Sequence, residues 1–294
     1  MIRRAVLAAI LIAGAVALFV LQRSRASAPI SPRPLLYLVA DTERESERIP
    51  LVLTRVSDAE ESAAGEKIAQ EEGLEPPRGL SPEDAKLTAY LNSVGSAVAT
   101  HVHRSGIHYR FYMSNDEKWV NACALPGGYI IVGRGLIKLL QSEDALAAIL
   151  GHEIAHVDDR HAVERLQYEL ASQKRGLEDV YHLGRPAVQI FEAGYTKEQE
   201  LEADQAGLEY AVQAGYSPAG ILQLMDNFEK LEAQNAAEPP LSPIDEIAGV
   251  PLAALQEYFR SHPPASERKK ALESEIQKDG WNRSAPVRPL KIEP

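Results

Sequence analysis

Apolar residues at Leu87, Leu91, Val94, Val98 and Val102 recur in three- and four-residue steps behind Ser81-Pro82, which predicts a helix entered through a serine cap and a first-turn proline. Ser57 and Glu60 stand at capping-box spacing, so an earlier helix is predicted from Ser57 to about Glu72, ended by GLEPPRGL at 73–80. The period then changes. Ile107, Tyr109, Phe111 and Met113 alternate with His108, Arg110 and Tyr112, the signature of a strand. After the polar turn SNDEK, Tyr129 to Val132 reads as a strand entered through Pro126-Gly127-Gly128, so segments 107–113 and 118–133 are expected to form a small antiparallel sheet.

From Leu136 onward the pattern is helical. Ser142 caps a helix, with Glu143 and Asp144 in its first turn, that is expected to continue to about Gln173. Thr196, with Gln199 three residues on, opens another that ends near Gly215, and Ser217-Pro218 opens one running to about Gln234. The proline-rich interval 238–251 is expected to be a loop, helices follow near 252–260 and 266–277, and the residues after Gly280 read as a loose tail. The fold class expected is mainly α with a small antiparallel β-sheet.

The amino terminus differs in kind. Arg3 and Arg4 precede an uncharged apolar run from Ala5 to Leu21, and Arg23 and Arg25 follow it. The run is at the short end for a membrane span and somewhat long for a signal-peptide core. Residues 1–28 are therefore expected to be an N-terminal membrane anchor, with a removed signal peptide as the alternative, because Ala26-Ser27-Ala28 resembles a processing site. Either way the remainder is expected outside the cytoplasm, in the periplasm or an equivalent space. Residues 29–56 read as a linker, 57–278 as the main domain and 279–294 as a tail.

Composition narrows the chemistry. A chain of 294 residues with 45% hydrophobic content can bury a core without covalent staples. Its net charge of -11 and the lack of a Lys/Arg cluster argue against nucleic-acid binding, which needs concentrated positive charge. Cys123 is the only cysteine, so a thiolate metal site cannot be assembled and any metal falls to histidine and carboxylate.

The stretch LGHEIAHVDDRH at 150–161 supplies those groups. On a helix His152 and His156 lie one turn apart on one face, so both imidazoles can reach one cation. Glu153 lies on the flank of that face, where it can take a proton from water without ligating. Two imidazoles need a further protein ligand. His161, nine positions after His152, would point the opposite way on a continuous helix, and His182 sits in a glycine-containing connection. In TKEQELEADQAG the acids Glu198, Glu200, Glu202 and Asp204 compete. Glu200 and Asp204 share a face with the small residues Ala203 and Gly207, which would allow close approach to the His152 helix; Glu202 points away. On that reading Glu200 coordinates and Asp204 accepts from an imidazole N–H. A merely solvated acidic face stands against it on equal terms.

Taken in order, NACALPGGYIIVGRGLI, LGHEIAHVDDRHAVER, ELEADQAGLEYAVQAGY and SHPPASERKKAL resemble the family of zinc metallopeptidases that includes CAAX prenyl proteases, HtpX-like proteases and mitochondrial Oma-type proteases. The resemblance runs from about Ser57 to Ile276 and is nearest to the branch with one anchor or none. It implies a gluzincin-like domain with one Zn2+ at His152, His156 and Glu200, Glu153 as catalytic base and Asp204 as an active-site partner described as a proton donor. It also implies roles for His262, lining or capping the metal site, and for Arg268, steadying an oxyanion or a carboxylate. Segment 125–132 is implied to be an edge strand beside the cleft, to which an extended peptide can add. Relatives in this branch often carry a helical-repeat extension; no repeat is visible after Ile276.

The resulting expectation is a membrane-tethered zinc metalloendopeptidase whose substrates are misfolded or misassembled envelope proteins. The substrate class rests on the resemblance alone. The alternative is an envelope chaperone or assembly factor with a mainly structural zinc.

Overall fold

The computed structural model describes residues 56–74, 81–114, 116, 118–172, 187–191, 194–237, 246–247 and 250–291. The anchor, nearly all of the linker and His182 lie outside the described residues. Helix α1 (Asp58–Glu71) begins with the expected capping box between Ser57 and Glu60, and α2 (Pro82–Ala99) begins at Ser81 with proline in its first turn. Strands β1 (Arg110–Met113), β2 (Ala122–Leu125) and β3 (Tyr129–Val132) follow. The helical remainder comprises α3 (Arg134–Leu139), α4 (Glu143–Asp158), α5 (His161–Ser172), α6 (Ala187–Phe191), α7 (Lys197–Gln213), α8 (Ala219–Ala237), α9 (Leu252–Ser261) and α10 (Ala265–Lys278). The architecture is mainly α, as expected. None of the described helices is long and apolar enough to cross a membrane.

The sheet is mixed rather than wholly antiparallel. Its order is β1-β3-β2, with β2 antiparallel to β3 and β1 parallel to it. The chain reverses between β1 and β2 and again through Pro126-Gly127-Gly128, and two reversals leave β1 and β3 pointing the same way. Both turn glycines take positive φ, 78° and 88°, a region that costs a side-chain-bearing residue. Because β3 is central, segment 125–132 is not an edge strand; β2 lies at the edge of the sheet. Two further differences from the expected pattern concern loops. In the proline-rich interval, β4 (Glu246–Ile247) and β5 (Val250–Pro251) pair antiparallel. The residues after Gly280 are not loose: Arg288 N–H and Ser217 N–H both donate to Asp144, each at 2.5 Å, and Glu143 N–H donates to the Arg288 carbonyl at 3.0 Å. Alternation of polar and proline residues gives no hint of such long-range pairing.

Helix α4 is central among the described residues, and every one of its residues is buried. Its apolar positions Leu146, Leu150, Ile154 and Val157 are wholly inaccessible, and each buried side chain of that size stabilises by about 1.5–3 kcal/mol. The helix is held at both ends. At the start, Ser142 Oγ accepts Ala145 N–H and the C-terminal strap occupies Glu143 and Asp144. At the finish, Asp158 accepts the N–H groups of His103 and Arg104 and the Tyr210 hydroxyl from α7.

The long helix expected over 142–173 is broken after Asp158. Arg160 sits at φ 68°, the left-handed region, which a residue with a Cβ occupies at a cost of order 1–3 kcal/mol. Its guanidinium offsets that by donating to the Val56 carbonyl at 2.8 Å and to Asp58 at 2.8 Å. The chain therefore turns within VDDRH, where no glycine or proline announces a stop, and α5 starts in a new direction.

Candidate metal centre and active site

Glycines decide how closely α4 and α7 cross. A Cβ at Gly151 would lie 2.3 Å from the Gly207 carbonyl oxygen, and one at Gly207 would lie 2.3 Å from the His152 nitrogen. Neither position accepts a methyl without moving backbone. This contact brings α7's first two turns against the imidazoles, with Thr196 and Gln199 forming the capping box that starts the helix.

Three donor atoms, from His152, His156 and Glu200, lie within 4.8 Å of one another, and all three residues are buried. His152 Nε2 is 3.1 Å from His156 Nε2 and 3.6 Å from Glu200 Oε2. Glu200 Oε2 is itself buried without a hydrogen-bond partner among the described residues, while Oε1 accepts Tyr195 N–H at 3.3 Å. A buried carboxylate oxygen left unpartnered is costly, and two imidazole nitrogens aimed at the same point add further lone pairs. The donor set of two nitrogens and one carboxylate oxygen is the kind that holds zinc while leaving a position open, so these residues fit the ion. The expected ligands are thus brought together.

His152 is oriented by a buried ion pair. Its Nδ1 lies 2.9 Å from Asp204 Oδ1, and Arg268 grips Asp204 with Nε to Oδ2 at 2.8 Å and a terminal nitrogen to Oδ1 at 2.6 Å. The other terminal nitrogen donates to the Tyr258 hydroxyl at 3.1 Å. Burial alone would raise the Asp204 carboxyl, but the Arg268 guanidinium and the His152 bond reverse this and hold it far below the usual carboxylate range. Of the two duties implied for Arg268, this geometry matches holding a carboxylate. His262 stacks on Tyr258 with ring centres 4.3 Å apart, and its Nε2 comes to 3.8 Å from Glu200 Oε2, so it faces the same space as the three donors. Burial pushes its imidazole down to about 4.

Glu153 lies on the flank of the pair, lining a cavity beside Cys123 of β2. Burial pushes its carboxyl up to about 7. The cavity, which His156, Tyr195, Glu200 and His262 also line, encloses about 10 Å³, roughly the room one water needs.

Sequence reasoning missed three side chains. Tyr195 stacks on the His156 ring at 3.9 Å, Tyr258 supports both Arg268 and His262, and His161 lies with Nδ1 3.1 Å from His156 Nδ1. The helix break at Arg160 turns His161 toward the site. Aromatic residues carry no spacing signal for such roles, and the break is invisible in the local pattern. Glu202 is exposed, as expected, though one oxygen lies 3.3 Å from His161 Nε2. A second grouping, His103 with Asp158 and Asp159, also has three donor atoms in reach of one another. There Asp158 already accepts two backbone N–H groups and a hydroxyl, so it is a clamp on the end of α4.

A buried HExxH helix crossed by a carboxylate-bearing helix, with the paired histidines and the acid meeting at one point, defines a metallopeptidase domain. Residues 85–276 match the model of Peptidase family M48, and the chain belongs to that family. Among its relatives is the metalloprotease LoiP of Escherichia coli (strain K12), 23% identical over 236 residues that cover 76% of this chain and 84% of LoiP. The β-barrel assembly-enhancing protease of the same strain is 28% identical over 186 residues, 55% of this chain but 37% of that protein. The mitochondrial metalloendopeptidase OMA1 of Arabidopsis thaliana is 28% identical over 176 residues, 58% of this chain and 32% of OMA1. The chain therefore spans only about a third of the last two. Family and relatives together make it a metalloendopeptidase.

Proposed function

We propose that the chain is a zinc-dependent endopeptidase of the cell envelope, tethered by residues 1–28 and acting through residues 57–278 on misfolded or misassembled envelope proteins. The observation that carries the metal reading is Glu200 Oε2, buried beside His152 Nε2 and without a hydrogen-bond partner among the described residues. The envelope assignment is supported by the arginine-flanked apolar run from Ala5 to Leu21 and by the name of the β-barrel assembly-enhancing relative.

Zinc at His152, His156 and Glu200 would supply Lewis acidity and lower the pKa of water to about 7. Glu153, beside that point without ligating, takes the proton from the attacking water and passes it to the leaving amine. Asp204 accepts from His152 Nδ1 and fixes that ring, while Arg268 holds Asp204 in place. His262 lines the same cavity. The β2 edge offers backbone groups to an extended peptide, so selection is by main chain more than by side chain.

The test is metal analysis of the purified full-length chain. One zinc per chain is expected, with loss on Glu200→Ala; a parent that binds no zinc refutes the metal reading. For the substrate class, proteins trapped by a Glu153→Gln variant in cells, identified by mass spectrometry, should be exported polypeptides. A set dominated by cytoplasmic proteins would contradict it.

A further inference from the structure

We infer that His161 is a positioning residue for His156, a neutral imidazole whose bare Nδ1 accepts the His156 Nδ1–H. This rests on the proposed zinc reading, in which His156 offers Nε2. A neutral imidazole carries one N–H and one lone pair. With His156 Nε2 turned to the donor cluster, 3.1 Å from His152 Nε2, its proton sits on Nδ1. The atom 3.1 Å from that Nδ1 is His161 Nδ1, which must then accept. The His161 proton follows on Nε2, whose neighbour is Glu202 Oε2 at 3.3 Å, close but poorly aimed for a hydrogen bond.

The local fold is arranged around this contact. His161 is 1% exposed although it directly follows the chain reversal at Arg160, and that reversal is tethered to α1 through Val56 and Asp58. Tyr195 covers the flat face of His156, its ring within 18° of parallel, and so fixes the ring plane. Stacking does not tell apart the two ring flips about Cβ–Cγ that share that plane. His161 does, since its ring stands at 63° to His156 and meets it nitrogen to nitrogen. An apolar residue of similar size would fill the space yet leave His156 N–H buried without an acceptor, and hydrogen-bonded partners of ligating histidines commonly set metal affinity about 10–100-fold.

Zinc affinity of the full-length chain, measured by chelator competition, tests this. His161→Leu should bind zinc about 10–100-fold more weakly, and His161→Asn, whose Oδ1 takes the place of Nδ1, should recover most of the loss. An unchanged His161→Leu overturns the inference, as does a His161→Asn that is no better than leucine. Ring-nitrogen NMR of the zinc-loaded parent decides the matter independently if the leucine variant does not fold: the His161 proton is expected on Nε2, and a proton on Nδ1 overturns the assignment. A parent that binds no zinc refutes the proposed function itself, whereas a parent that binds zinc beside an indifferent leucine variant refutes only this inference.

Discussion

The two histidines of one helix are supported in opposite ways. His152 leans on Asp204, an ionised carboxylate locked by Arg268, all three groups fully buried. His156 leans on His161, a neutral ring with an exposed carboxylate behind it. The difference lies in what breaks: removing one member of a buried ion pair strands a charge, while removing a neutral acceptor strands an N–H. The first arm is rigid at a high cost of failure, and the second is a lighter adjustment reaching toward solvent.

Substitutions can separate these arms, and the largest effect is expected at Arg268. Arg268→Leu leaves Asp204 buried and uncompensated, so the metal-free chain should lose about 3–5 kcal/mol in chemical denaturation; a loss below about 1 kcal/mol would mean the pair contributes little beyond packing. Gly207→Ala comes next, since its methyl would meet backbone at His152 and spread both arms at once. About 1–3 kcal/mol of destabilisation is expected, together with weaker zinc binding, and a neutral result would show that the crossing relaxes freely. His161→Leu should cost about 1–2 kcal/mol, from the stranded N–H. Smallest is Glu202→Gln, where an exposed group is exchanged and stability should stay within about 0.5 kcal/mol. A larger loss there would move the weight of the His156 arm from the imidazole to the carboxylate.

How much of this was legible follows from the range of each interaction. The HExxH spacing, the caps at Ser57, Ser81, Ser142 and Thr196 and the face shared by Glu200 and Asp204 are written within one or two helical turns, and a sequence displays them directly. Even so, the spacing that set Glu200 apart from Glu202 left a merely solvated acidic face standing on equal terms; it is the Gly151–Gly207 crossing that brings Glu200 to the histidines. The turn at Arg160 escaped because its stabilising partners, Val56 and Asp58, are about a hundred residues away in the chain. With it went the position of His161, whose exclusion assumed a continuous helix. The parallel pairing of β1 with β3 and the docking of Arg288 on Asp144 were hidden for the same reason. Such contacts are set by tertiary packing, and no local periodicity encodes them.

The central claim, that Glu153 handles the proton while the neighbouring histidines and Glu200 hold the metal, is tested most directly by comparing the parent with Glu153→Gln in cleavage of an unfolded polypeptide. Both proteins should carry one zinc per chain, and the variant should cleave about 10²–10⁴-fold more slowly. Equal cleavage by two equally loaded proteins would contradict the account and favour a scaffold whose zinc is structural.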